Sequence, residues 1–217
     1  MIGIPNQSRK RFSFALLLIC ICIASSINAQ DLELDSVVNE TLKKYDNLHS
    51  FYTEFSQTLC DEGLGACQIF EGKVYFLKPN FFRMEIEKPA QVYVGDSSSL
   101  WIYLPEKKRA IRQSLRQVPF AINPDLFLKD YKERFKAELS STDNEYVITL
   151  LPKEETQIYS KIIVKTSKNN CEITGISIID EAGAENKFIF SGMQLNKKIS
   201  KNLFKFKPPK GTEIIDQ

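Results

Sequence analysis

Residues 81–87 alternate cleanly: Phe82, Met84 and Ile86 are apolar, and Arg83, Glu85 and Glu87 are charged. A period of two with one apolar face is a strand with one covered side and one wet side. Residues 72–77 read as its partner, joined to it at Pro79-Asn80. Similar alternation predicts strands over 51–60, 68–77, 91–94, 100–104, 135–139, 145–151, 159–166, 172–180 and 186–195. A weaker strand is expected over 109–115, and a short last one over 203–207, closed by Pro208-Pro209. Turn signals at Gly95-Asp96-Ser97, Pro105-Glu106, Thr142-Asp143-Asn144, Ser167-Lys168-Asn169-Asn170 and Ala182-Gly183 separate these runs. About ten strands in consecutive hairpins, with no β-α-β crossover, predict an antiparallel sheet.

Two stretches break the alternation. Over 31–49, Leu34, Val37, Val38, Leu42, Tyr45 and Leu48 recur at helical spacing. Asp31, Glu33 and Asp35 near its start and Lys43-Lys44 near its end suit the helix dipole. Residues 116–136 carry an apolar run with two prolines, and Pro124 after Asn123 suits a helix start capped by Asn123. One or two short helices are expected there, crossing the sheet. Such helices serve either as ordinary core cover or as a movable lid. The covered face is correspondingly either a packed core or the wall of a cavity for a hydrophobic ligand.

The first 29 residues stand apart. A basic run (Arg9-Lys10-Arg11), an apolar run over 12–23 and a small polar stretch ending at Ala29 form a secretory leader, with cleavage expected after Ala29. Cys20 and Cys22 leave a lipoprotein-type leader as the lesser alternative. The expected organisation is a leader over 1–29 and one domain over 30–217. Setting the three leader cations aside, the 29 Lys and Arg fall to 26 against 27 Asp and Glu. That balance argues against a nucleic-acid footprint. Cys60 and Cys67 flank a turn-rich tip, and in an oxidising compartment they either pair or stand as two free thiols. The single His, His49, has no nucleophile motif beside it, and neither a phosphate loop nor a metal-ligand pattern occurs. Catalysis, metal and cofactor are not expected.

An ordered set of short motifs adds to this reading. It runs Phe51-x-x-x-Phe55-x-Gln57, then Gly72 to Lys78-Pro79-x-x-Phe82-Arg83, then Pro89, Asp96 and Leu100-Trp101-x-Tyr103-x-Pro105. Pro119-Phe120 and Phe204-x-Phe206-x-Pro208-Pro209-x-Gly211 complete it. In order and spacing the chain resembles the periplasmic outer-membrane lipoprotein carrier family (LolA-like). The resemblance implies a mainly β fold, a strongly curved antiparallel sheet forming an incomplete barrel, covered by the N-terminal helix and short middle helices. It implies a periplasmic carrier, without enzymatic activity or cofactor and acting as a monomer. Such a carrier takes acylated lipoproteins from an inner-membrane lipoprotein-releasing ABC transporter and hands them to an outer-membrane receptor lipoprotein. On this reading Val74, Phe76, Phe82, Met84 and Ile86 line the acyl cavity, and Phe120, Ile122 and Leu126 belong to the lid. Lys78 falls where the family has an Arg that holds the lid shut, and Arg83 is a second latch candidate. Lys lacks the planar fork of Arg, so a multidentate latch becomes a point contact. A glutamate at Phe82 is expected to leave the fold intact and to impair transfer. The alternatives are a lipid-binding or envelope-stress sensor module on the same fold and, less in keeping with the motifs, a secreted hydrolase using His49.

Overall fold

The structure is a computed structural model and describes residues 25–61, 65–96, 98–114, 125–154 and 159–217. A long helix, α1 (Ser25–Asp46), precedes six strands: β1 (Ser50–Asp61), β2 (Ala66–Leu77), β3 (Phe81–Ile86), β4 (Gln91–Asp96), β5 (Ser99–Leu104) and β6 (Arg109–Ser114). Two single-turn helices, α2 (Asp125–Leu128) and α3 (Tyr131–Arg134), lead into β7 (Phe135–Ser141), β8 (Glu145–Pro152), β9 (Lys161–Ser167), β10 (Ile173–Ile179) and β11 (Glu185–Leu195). A 3-10 turn at Lys201–Phe204 precedes β12 (Glu213–Asp216).

All twelve strands form one open, curved sheet in the order β12-β6-β5-β4-β3-β2-β1-β11-β10-β9-β8-β7. Its pairings are antiparallel except the last, where β12 runs parallel to β6, with Ile215 opposite Ile111. Two expectations are corrected here. Residues 203–207 are not a strand, and the sheet is not wholly antiparallel. The chain passes across the sheet before β12 joins the edge, so a hairpin cannot make the connection. Arg109 and Arg112 hold β12 through Glu213 (2.9 Å) and Asp216 (2.7 Å).

Helix α1 begins six residues earlier than the apolar spacing predicts. Asp31, Glu33 and Asp35 therefore lie beyond its first turn, and only Lys43 and Lys44 at its end meet the dipole. The expected leader cleavage after Ala29 falls inside this helix. Leu34, Val37 and Val38 of α1 pack with Phe127, Leu128 and Tyr131 of α2 and α3 over β7–β10, where Ile148, Leu150, Ile162 and Val164 are buried. A second cluster sits on β1–β3 and β11, built from Phe51, Phe55, Val74, Phe82, Ile86 and Phe188.

The charged face is not wholly wet, contrary to the pattern of β3. Across β3–β5 it is covered by the chain after β11. Phe204 packs on Phe81 (5.8 Å between ring centres), and Phe206 lies between Trp101 (5.3 Å) and Tyr103 (5.4 Å). Val94, Ala110 and Phe204 are fully buried there. Removing a buried phenyl ring leaves a cavity as well as a transfer loss. Phe204→Ala is expected to cost about 3–5 kcal/mol, read as a lower urea midpoint with an unchanged denaturant slope.

Candidate functional site

Register places the site. One row of directly opposed residues runs Thr53–Val74–Met84–Tyr93–Ile102–Ile111 across β1 to β6. The next runs Phe51–Phe76–Phe82–Gly95–Leu100–Gln113. Opposed residues share a face, and Val74, Phe82 and Met84 lie in the second cluster, so both rows lie on the covered side. Burial falls along the first. Thr53 and Val74 are buried, whereas Met84, Tyr93, Ile102 and Ile111 are half-buried. The result is an apolar strip that is closed over at Thr53 and Val74 and half-covered from Met84 to Ile111.

Two glycines let aromatic rings lie flat across this face. A Cβ on Gly95 would stand 2.3 Å from the ring of Phe82, and one on Gly72 would stand 2.1 Å from the Glu85 carbonyl oxygen and 2.7 Å from the ring of Phe55. Each ring covers its direct cross-strand partner. Gly95, read from sequence as a turn residue, is a strand residue with this steric role. Phe82 is fully buried. A glutamate there would bury an unpaired carboxylate, which is costly enough to test folding rather than transfer. The half-buried Met84 and Leu100 are the positions where a charge probes the site itself.

The structure brings Val74, Phe76, Phe82, Met84 and Ile86 together in one cluster. Phe120 and Ile122 lie outside the described residues. Leu126 is half-buried in α2, while its neighbours Phe127 and Leu128 face the core. Tyr93, Leu100, Ile102 and Ile111 were missed because the alternation of β4–β6 is weak. Carrying the register of β3 across the next two turns would have found them.

The helices are tied to the sheet by separate polar contacts. Lys78 Nζ donates to the carbonyl of Asp46 at the end of α1, and its backbone N–H donates to His49 O (2.8 Å). The contact is a point donor at the negative end of the helix dipole. Lys44 Nζ bonds Asn170 O (2.8 Å) and pairs with Glu172 (3.3 Å). Tyr45 Oη accepts from Ile173 N (3.0 Å). At the other end, Asp35 accepts from Tyr131 Oη (2.6 Å) and Lys132 Nζ, joining α1 to α3. Arg134 Nη1 donates to Leu126 O (2.7 Å), closing α2 on α3.

Arg83, the second latch candidate, makes none of these contacts. Its side chain lies on the opposite face, paired with Glu85 (2.5 Å) and 3.4 Å from Leu203 O, where it holds the C-terminal segment. The alternation of β3 requires this, since Arg83 points away from Phe82 and Met84. His49 is exposed, and its backbone N–H donates to Asn196 Oδ1 (2.9 Å). Cys60 and Cys67 form a disulfide at the end of the β1–β2 ladder, and Cys171 is a free thiol 3.4 Å from Glu40. Among the described residues no helix is long and apolar enough to cross a membrane, and no group of three His, Cys, Asp or Glu is placed to hold a metal.

An open antiparallel sheet with one greasy face beneath helices fixed by point contacts belongs to the class of folds that shelter hydrophobic guests. More particularly, the chain belongs to the family of the outer membrane lipoprotein carrier protein LolA, whose model matches residues 46–207. It is 31% identical over 176 residues to an outer-membrane lipoprotein carrier protein of Photobacterium profundum, covering 78% of this chain and 84% of that one. It is 28% identical over 177 residues to one of Coxiella burnetii, covering 79% and 82%. A solved structure of an uncharacterized conserved protein from Thermus thermophilus superposes with a TM-score of 0.55 at 12% identity, over 85% of this chain and 99% of that one, and shows the fold alone. The family is one of lipoprotein carriers, not enzymes, and it places the chain in the periplasm.

Lys132 and Tyr131 hold the Asp35 carboxyl below its usual range by hydrogen bonding, against a smaller opposing effect of burial. A depressed folded value means the tie acts above the unfolded value, about 4. It is lost as pH falls through the lower folded value. Asp35→Asn is expected to be less stable than the parent at neutral pH. The two unfolding midpoints should converge as pH falls below about 4, in urea titrations run across that range.

Proposed function

We propose that the protein ferries lipoproteins across the periplasm with their acyl chains held against the apolar strip of β2–β6, under α1 and the segment containing α2 and α3. Export removes residues 1–29, and the domain of residues 30–217 acts as a monomer. It takes cargo from an inner-membrane lipoprotein-releasing ABC transporter and yields it to an outer-membrane receptor lipoprotein. The observation that carries this reading is the half-buried row Met84–Tyr93–Ile102–Ile111, an apolar surface continuous with the core but incompletely covered.

Energetics supports reversible holding. Each buried acyl methylene contributes roughly 0.8 kcal/mol, so several long chains would be held too tightly to be given up. Displacing helices that already pack on the sheet offsets part of that gain on loading, and repacking returns it on release. Single-donor ties such as Lys78 to Asp46 O keep that displacement modest. Phe127 and Leu128 supply the packing that must be given up.

Met84→Glu and Leu100→Glu place a charge on the half-buried part of the strip, where solvent limits the folding cost. Both are expected to keep the far-ultraviolet spectrum of the parent and to reduce acyl-probe binding and lipoprotein release from inner-membrane vesicles by about tenfold or more. Parental transfer by both variants would contradict the reading.

A further inference from the structure

The outer face of the sheet carries a feature that cargo holding does not use. Residues 197–210 contain six lysines (Lys197, Lys198, Lys201, Lys205, Lys207 and Lys210) and no Asp, Glu or Arg. With the three leader cations also set aside, the rest of the chain holds 20 Lys and Arg against 27 Asp and Glu. The band thus reverses the sign of the molecule locally. All six lysines are exposed, and none makes an ion pair among the described residues.

The band is fixed in place rather than a loose tail. Phe204 is buried beneath it, and Phe206 is wedged against Trp101 and Tyr103. Lys197 Nζ sits 4.3 Å from the Tyr52 ring centre and Lys201 Nζ 5.6 Å from that of Phe81. Three acids on this face are already engaged: Glu85 by Arg83, Asp216 by Arg112, and Glu54 by the Tyr52 hydroxyl.

We propose that this lysine band docks the protein, outer face down, on bilayers containing anionic phospholipid. The proposal rests on the carrier reading, because a carrier must load and unload at membranes. Two observations favour a lipid surface over an acidic protein. First, the band is all lysine, whereas Arg83, Arg109 and Arg112 are in specific carboxylate pairs and Arg134 bonds a backbone carbonyl. Ammonium groups are hydrated point charges suited to a diffuse anionic plane, and guanidinium forks to defined partners. Second, Phe204 and Phe206 are turned inward, so no wedge is left to insert, and attachment is electrostatic, reversible and weakened by salt. Docked this way, the apolar strip on the opposite face stays free for cargo and partner.

The test sediments natively purified protein with vesicles of phosphatidylcholine alone, or with about one third phosphatidylglycerol, at low and high salt. The expected result is roughly tenfold or greater preference for the anionic vesicles, lost at high salt. The quadruple variant Lys198→Gln, Lys205→Gln, Lys207→Gln, Lys210→Gln spares the two lysines on aromatic rings. It is expected to lose that preference while keeping the parent's unfolding midpoint and acyl-probe binding. Equal partitioning to both vesicles, or a variant that binds like the parent, overturns the proposal. So does a band that takes polyglutamate in preference to anionic vesicles. A parent that binds anionic vesicles but no acyl probe upholds the band and contradicts the carrier reading instead.

Discussion

A single sheet has two faces, and among its described residues the chain has only one long helix and two single-turn ones to cover them. That constraint organises the molecule. Over β7–β10 the helices suffice, and the core closes around Ile148, Leu150, Ile162 and Val164. Over β1–β3 aromatic rings do the covering from within the sheet, with Phe82 laid over Gly95 and Phe55 over Gly72. Toward β6 neither device reaches fully, and the apolar strip is left half-covered. The place where packing is least complete is therefore contiguous with the best-packed aromatic cluster. A hydrophobic guest entering there extends an existing core rather than opening a new one.

The two faces are held by different chemistry. On the inner face the helices are joined to their surroundings by separate contacts at their ends: Asp35 to Tyr131, Lys44 to Asn170, Lys78 to Asp46. Each is a small net contribution in partly exposed surroundings. On the outer face, rings interlock across β3–β5 and Arg112 pairs with Asp216 of the edge strand. The inner cover is thus held by separate point contacts, and the outer strap by interlocked rings. Lys78 meets the end of α1 as a single-point donor rather than as a fork.

Much of this was legible in the amino-acid order. Strand alternation placed most of the strands, and the face carrying Phe82, Met84 and Ile86 was assigned correctly because a period of two cannot be slipped without inverting both faces. Sequence reasoning failed where meaning depends on a distant partner. Gly95 looked like a turn because its role is set by a ring on the neighbouring strand. Arg83 looked like a latch because proximity in sequence hid the opposite directions of adjacent strand residues. The short Glu213–Asp216 strand is defined by its pairing with β6, far away in sequence, where Arg109 and Arg112 face its acids. Its few residues carry no periodicity by which to find it.

The most direct test of the half-covered strip is paramagnetic broadening of methyl signals by a spin-labelled acyl lipid. The account predicts loss of signal from Met84, Leu100, Ile102 and Ile111 on the inner face, with Val94 and Ile214 on the outer face left sharp. Broadening confined to the outer face, or none on the inner face at saturating lipid, would contradict it.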